Sequence, residues 1–321
     1  MNSPYKTKTY LALALDPVHV GVGGHRLGRV DLPILRETGT GLPKIPGTSL
    51  SGPARAFAAM QTNRYVWQSK DSEYSCAGKG GEGGEKHCGE VDPACPVCVT
   101  YGFSKGSGYS MQGLAMFFDA QLVLFPVATI AGPVWVTSPL ALEGCGGEST
   151  FQAPEDGFYP LGDDLQTKER INLGWLFLSR KPGRGSLPSQ AEWSNVPDTI
   201  RRHALLVSDQ LFSHIVNSNL EVRTSVSIDP ETGAADDGAL FTYEAIPRAS
   251  VLRFEITCSS AASLQISGKR VKTEDGKDVD PDWAFAQVEK GLHLFEHLGI
   301  GGMNTRGMGR LRVLGLEEAQ A

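Results

Sequence analysis

The sequence predicts an α+β chain of half-buried strands and amphipathic helices, with one insertion that apolar burial alone cannot fold. Three observations carry this. Apolar and polar residues alternate over 7–15 and again over 118–124, the period of a strand with one buried face. Helical spacing beside capping residues recurs over 48–60, 198–215 and 281–297. Four of the six cysteines fall between Cys76 and Cys98, in a polar, glycine-rich stretch with almost no core-forming residues.

Composition narrows the function classes. Of 321 residues, 40% are apolar and 21% charged, as in an ordinary globular protein, and no apolar run approaches the roughly 18 residues of a membrane span. A soluble chain with no membrane partner is expected. The opening MNSPYKTKTYLALALDP reads as a strand and lacks a small-residue cleavage site, which points to the cytoplasm. A net charge of −6 excludes a protein that coats nucleic acid with its whole surface, but not a basic groove on an acidic body.

In chain order, Leu11, Leu13 and Leu15 share one face of the first strand, and Lys8 and Tyr10 the other. The strand delivers the chain into His19 to Arg55, which is loop for most of its length. That stretch has glycines at 21, 23, 24, 28, 39, 41, 47 and 52 and prolines at 33, 43, 46 and 53. Within it Asp31 stands between Val30 and the Leu32-Pro33 pair, where the chain cannot coil into helix and a carboxylate can be held at a fixed angle. The loop ends at a helix that Thr48 or Ser49 can cap, with Pro53 in its first turn and a stripe of Ala54, Phe57, Ala58 and Met60. Its N-terminus suits a phosphate, and Ser49, Ser51 and Gly52 permit close backbone approach; a capped helix start without a ligand is the plainer reading.

In the insertion over 64–98 a metal would supply what apolar burial does not, the alternative being free thiols in a loop. Cys95-Pro96-Val97-Cys98 can grip one side of a tetrahedral Zn2+, and Cys76 with Cys88 or His87 can close the other. Such a closed site is structural, leaves no open position for a zinc hydrolase, and fits a reducing compartment better than disulfides do. Beyond it, strands are expected within 114–126 and at Val134 to Thr137, and residues 143–196 are irregular. Asp198 caps a helix through about Ile215. Residues 221–257 form a long hairpin, Glu221 to Ile228 and Ala239 to Ala245 around the polar tip Asp229 to Gly238, with a further strand from Val251. A helix from Pro281 to His297 turns Val288, Leu292 and Phe295 inward, with Gly299 past its end. The glycine-rich run to Gly315 then places Arg306 and Arg310 where they can lie against a phosphate backbone; alone, it reads as a turn before a last edge strand.

Four segments in order, VDLPILRETGTGLPKIPGTSLSGPAR, FFDAQLVLFPVATIAGPVWVTSP, VRTSVSIDPETGAADDGALFTYEAIPRAS and IGGMNTRGMGRL, resemble the RAMP superfamily of CRISPR effector proteins. The likeness is nearest to the backbone subunits of type III Cmr and Csm complexes, on the Cmr side. It covers most of the chain, outside parts of 64–94 and 143–196.

The resemblance implies one RAMP-type domain over 1–321, with a ferredoxin-like, RNA-recognition-type palm and a thumb hairpin at 221–245. It implies copies stacked along a guide CRISPR RNA beside other effector subunits, and cleavage of complementary single-stranded target RNA with Mg2+ through Asp31. It also implies RNA contacts from His19, Arg26, Lys44, Ser49, Ser51, Arg55, Arg223, Arg306 and Arg310. Ser51 stands where such proteins often carry Lys. The competing expectation is a non-catalytic guide-binding scaffold in which Asp31 satisfies backbone amides, a common use of Asp in turns.

Overall fold

The computed structural model describes the chain outside residues 1–3, 24–29, 70–71, 78–87, 89–91, 93–94, 105–109, 146–151, 184, 227, 230, 235–239, 262–264, 267–268, 274 and 317–321. The first alternating segment becomes β1 (Tyr5–Ala14), an interior strand of the main sheet one place in from its edge. On one side β1 runs antiparallel to β7 (Val251–Ser259), in register from Tyr5 opposite Ser259 to Leu13 opposite Val251; on the other it pairs with β8 (Leu311–Val313). Next to β7 lies β2 (Ala120–Thr129), which turns into β3 (Gly132–Thr137). The order across the sheet is β3-β2-β7-β1-β8.

Both faces of β1 are buried near its C-terminal end, where the alternation had one face against the core. Tyr10, Ala12 and Ala14 join the cluster beneath the helices, while Leu11 packs on the opposite side with Leu124, Trp135 and Trp193. The first face is covered by α1 (Gly47–Gln61) and α5 (Pro281–His293), whose Leu50, Ala54, Phe57, Phe285, Val288 and Leu292 are buried.

The two helices meet at Gly291, where an added Cβ would stand 2.1 Å from the Ala54 carbonyl oxygen. Gly291→Ala therefore sets two effects against each other. Helix propensity favours Ala by about 1 kcal/mol, and forcing the backbones apart costs about 3 kcal/mol. The expected outcome is a net loss of about 2 kcal/mol, read as a lower Tm in a thermal melt; a higher Tm would mean the helices separate freely.

Several sequence expectations are corrected. The cap of α1 is Pro46, with no side-chain capping bond, and Thr48 and Ser49 lie inside the helix. Instead Asp119 accepts the Gly47 N–H at 2.9 Å across the chain, and Pro53 falls in the second turn. The single helix expected from Asp198 to Ile215 breaks into α3 (Asp198–Arg202), β4 (Ala204–Leu206) and α4 (Asp209–Ser218), which Ser208 caps. The Ala204–Val207 run is wholly buried, and it gains more by pairing in parallel with β3 than by staying helical. The C-terminal helix stops at His293; one further short turn, Phe295–Leu298, ends at Gly299 with φ 73°. Residues 143–196 are less irregular than expected. They add Tyr159–Pro160 beside β4 and a hairpin of Arg170–Leu173 with Leu176–Ser179, and Trp193 seals the second core cluster.

The long hairpin stands apart from the main sheet as its own two-stranded sheet, β5 (Glu221–Ser225) with β6 (Phe241–Ala245). Part of its tip, 235–239, lies outside the described residues.

Candidate active site at the base of the hairpin

The first loop and the hairpin come together around Asp31. Pro33 keeps the segment extended, so it lies along β6 as a short parallel neighbour: Leu32 bridges to Tyr243, its N–H donates to the Thr242 carbonyl at 3.0 Å, and its carbonyl accepts the Glu244 N–H at 3.1 Å. Thr242 then grips the Asp31 carboxylate. Oδ2 accepts both the Thr242 backbone N–H at 2.7 Å and the Thr242 hydroxyl at 2.8 Å, and the Asp31 N–H donates to that hydroxyl oxygen at 3.1 Å. Asp31 itself is exposed.

A buried polar network braces the loop from behind. Glu244 is 9% exposed, and its Oε2 accepts from Arg36 at 2.9 Å and from the Ile34 N–H at 3.3 Å. Arg36 also donates to Asn217 Oδ1 at 3.0 Å and to the Ile34 carbonyl at 3.1 Å, so the buried charge is both paired and hydrogen-bonded. Thr242, Glu244 and Arg36 were not singled out in the sequence. A carboxylate within the otherwise apolar or hydroxylated Phe241–Ala245 strand is the signal that could have marked Glu244.

The expected RNA contacts fall into three places. Around the hairpin base stand His19, Arg223, Arg306 and Arg310. His19 is 6% exposed: its Nδ1 lies 2.6 Å from the Glu244 carbonyl oxygen, its ring meets Tyr243 edge-on, and its own carbonyl accepts the Gly302 N–H at 2.8 Å. It is a strut joining the first loop, the hairpin and the C-terminal glycine loop. Arg306 lies over the Phe241 ring at 5.7 Å and donates to Ser225 Oγ at 3.2 Å; Arg223 pairs with Glu221 at 2.6 Å. Arg310 is exposed and holds both oxygens of Asp16, keeping that carboxyl below its usual range.

The glycine requirement in the C-terminal loop comes from its own chain. At Gly309, φ is 93° and a Cβ would stand 2.3 Å from the Ile300 carbonyl oxygen.

Lys44, Ser49 and Ser51 gather at the start of α1. Lys44 pairs with Asp119 at 2.6 Å, which raises the ammonium above its usual pKa. The helix start thus already holds one carboxylate, and Lys44 neutralises it. Arg55 lies elsewhere, donating to the Cys76 carbonyl at 2.6 Å and the Gly102 carbonyl at 2.8 Å, and so ties α1 to the cysteine insertion. Arg26 lies outside the described residues.

In that insertion the fold assembles Cys76, Cys88, Cys95 and Cys98, all buried, with their sulfur atoms within 4.8 Å of one another. Cys95 begins the short helix α2 (Pro96–Tyr101), which lifts Cys98 one turn above it. The Cys76–Cys88 and Cys88–Cys98 separations are 3.2 Å and Cys76–Cys95 is 3.7 Å, near the edge of about 3.8 Å that a tetrahedral zinc–thiolate site requires. None of the six cysteines is in a disulfide, and His87 lies outside the described residues. This is the sole cluster of three or more potential metal ligands among the described residues.

Residues 12–312 match the RAMP superfamily. The chain belongs to that family. The RAMP chain is 27% identical to the CRISPR system Cmr endoribonuclease Cmr4 of Pyrococcus furiosus, over 95% of both chains. Its fold is similar to that of a chain in the type III-B Cmr-beta assembly bound to cognate target RNA, with a TM-score of 0.62 and 17% identity over 97% of this chain and 98% of that one. It is also similar to oligomeric Cmr4 from Pyrococcus furiosus, with a TM-score of 0.55 and 16% identity over 97% and 98% of the two chains. No helix among the described residues of this RAMP chain is long and apolar enough to cross a membrane.

Proposed function

We propose that this chain is the repeating backbone subunit of a type III CRISPR effector, binding guide RNA beside further copies of itself and other effector subunits and cutting complementary target RNA. The observation that carries the reading is the likeness to a Cmr endoribonuclease along nearly the whole of both chains. The palm is read as ferredoxin-like, because β1-α1-β2-β7-α5-β8 follows a β-α-β-β-α-β order with strands arranged β2-β7-β1-β8. The β5–β6 hairpin is read as the thumb. Cysteines outside disulfides fit a reducing cytoplasm.

The chemistry asks little covalent work of the protein. Once a thumb unstacks a target nucleotide, the 2′-hydroxyl can attack the adjacent phosphorus in line, so positioning dominates. Asp31 would accept the hydroxyl proton or help to hold Mg2+, which when bound supplies charge neutralisation at the phosphate. Arg223, Arg306 and Arg310 would hold guide or target phosphates, with Lys44, Ser49 and Ser51 forming a second contact at the start of α1. His19 serves as a buried positioning group and Arg55 as a brace for the insertion, in keeping with their partners. The four thiolates would hold a structural Zn2+.

The scaffold reading also has an observation behind it: Thr242 supplies Asp31 Oδ2 with an amide and a hydroxyl, as a purely structural carboxylate would require. End-labelled target RNA incubated with the guide-loaded assembly and Mg2+ separates the two. The nuclease reading expects products at regular spacing, and the scaffold reading expects tight binding with the target left whole.

A further inference from the structure

We infer that Thr242 is the positioning residue for the Asp31 carboxylate, so that the thumb strand itself sets the geometry of cleavage. The inference rests on the nuclease reading of Asp31 and goes beyond it by naming what orients that group.

Three observations support it. Thr242 is the one residue that addresses Asp31 three times, through its amide to Oδ2, its hydroxyl to the same Oδ2, and its hydroxyl oxygen accepting the Asp31 N–H. An exposed carboxylate otherwise rotates through several rotamers, and this arrangement removes that freedom before any substrate arrives. Next, the grip belongs to the hairpin and not to the palm sheet: Thr242 lies in β6, which forms a two-stranded sheet with β5 outside the main sheet. Finally, the residues on either side fix the strand against the loop. The Leu32 backbone is bonded to the Thr242 carbonyl and the Glu244 amide, and the buried Glu244–Arg36 pair holds Ile34 from both its N–H and its carbonyl. Loop and thumb therefore move as one body over residues 31–36, and displacement of the thumb strand displaces the carboxylate.

The chemical consequence is specific. A hydroxyl and an amide converging on one oxygen leave the carboxylate plane fixed, which is what in-line attack on a splayed nucleotide requires of the group that takes its proton or orients its cation. Thr242 touches neither RNA nor cation in this scheme. Its effect on rate passes entirely through Asp31.

The test compares Thr242→Val, Thr242→Ser and Asp31→Ala in the guide-loaded assembly, measuring single-turnover cleavage at saturating target alongside target affinity. Valine keeps the β-branched shape and the backbone amide but removes the hydroxyl, with both of its bonds. The expected result for it is cleavage slowed by about ten-fold or more, with affinity within about two-fold. Serine, which restores the hydroxyl without the methyl, is expected to recover cleavage to within about three-fold. The inference is overturned if valine cuts at the native rate, if serine is as slow as valine, or if affinity falls in step with rate. Cleavage lost in Asp31→Ala but intact in Thr242→Val sinks this inference alone, whereas normal cleavage by Asp31→Ala sinks the nuclease reading and this inference with it.

Discussion

Asp31→Ala is expected to reduce target cleavage by at least about 100-fold, the lower end of what a positioned general acid–base group contributes, while leaving guide and target binding intact. The separation follows from the site. Asp31 is exposed and its side chain engages Thr242, whereas the loop's path is held by backbone bonds of Leu32 and by the Glu244–Arg36 pair, none of which the substitution removes. Asp31→Asn sharpens the result. The amide is the same size and its oxygen can still accept from Thr242, so the loop keeps its geometry and only the charge is lost. Both variants should then fail to cut and both should bind, read on denaturing gels for cleavage and by filter retention for affinity. If Asp31→Asn cut at the native rate, neither proton transfer nor cation binding by this carboxylate could be part of the reaction, and the scaffold reading would gain the ground.

How much of this could be read from the sequence depends on whether the cause was local. The β1 and β2 strands were legible because alternation is a local signal, and the Pro33-bounded loop marked Asp31 for the same reason. Ala204–Val207 was not, since Ile200, Ala204, Leu211 and Ile215 happen to keep helical spacing; only the neighbouring β3 edge makes those residues a strand. Thr242 could not be tied to Asp31 at all, because 211 residues separate them and no motif spans the gap. Residue type also misled where burial decides the role. His19 and Arg55 read as cations for RNA, yet in the fold each donates to buried carbonyl groups. The cysteines were legible: the 11 residues between Cys76 and Cys88 are wider than the common finger spacing, yet the fold brings that pair beside Cys95 and Cys98 within the core.

Metal removal should have the largest effect on stability. The described part of the insertion has few buried apolar anchors besides Ala77 and Val97, and at its centre are four cysteines no more than 1% exposed. With Zn2+ bound, four thiolates satisfy one ion; without it, four apposed sulfur groups remain buried with only weak mutual contacts. Structural zinc sites bind with an apparent free energy on the order of 10 kcal/mol, so the expected metal-free state is one in which the insertion opens. Opening does not stay local, because Arg55 of α1 is bonded to the Cys76 and Gly102 carbonyls and α2 packs into the main core. Chelation followed by dialysis into Mg2+, or Cys98→Ser, should therefore lower Tm by about 10 °C or more and eliminate a stoichiometry of one zinc per chain by elemental analysis. Cys145→Ser and Cys258→Ser, at buried thiols outside the cluster, should leave the stoichiometry unchanged. Exchange of Zn2+ for Co2+ should preserve cleavage, since a four-thiolate site has no open position from which to act on RNA. A metal-free chain that kept its Tm would show the cysteines to be ordinary core residues, and a Co2+ form that folded but did not cut would move the site from structure to chemistry.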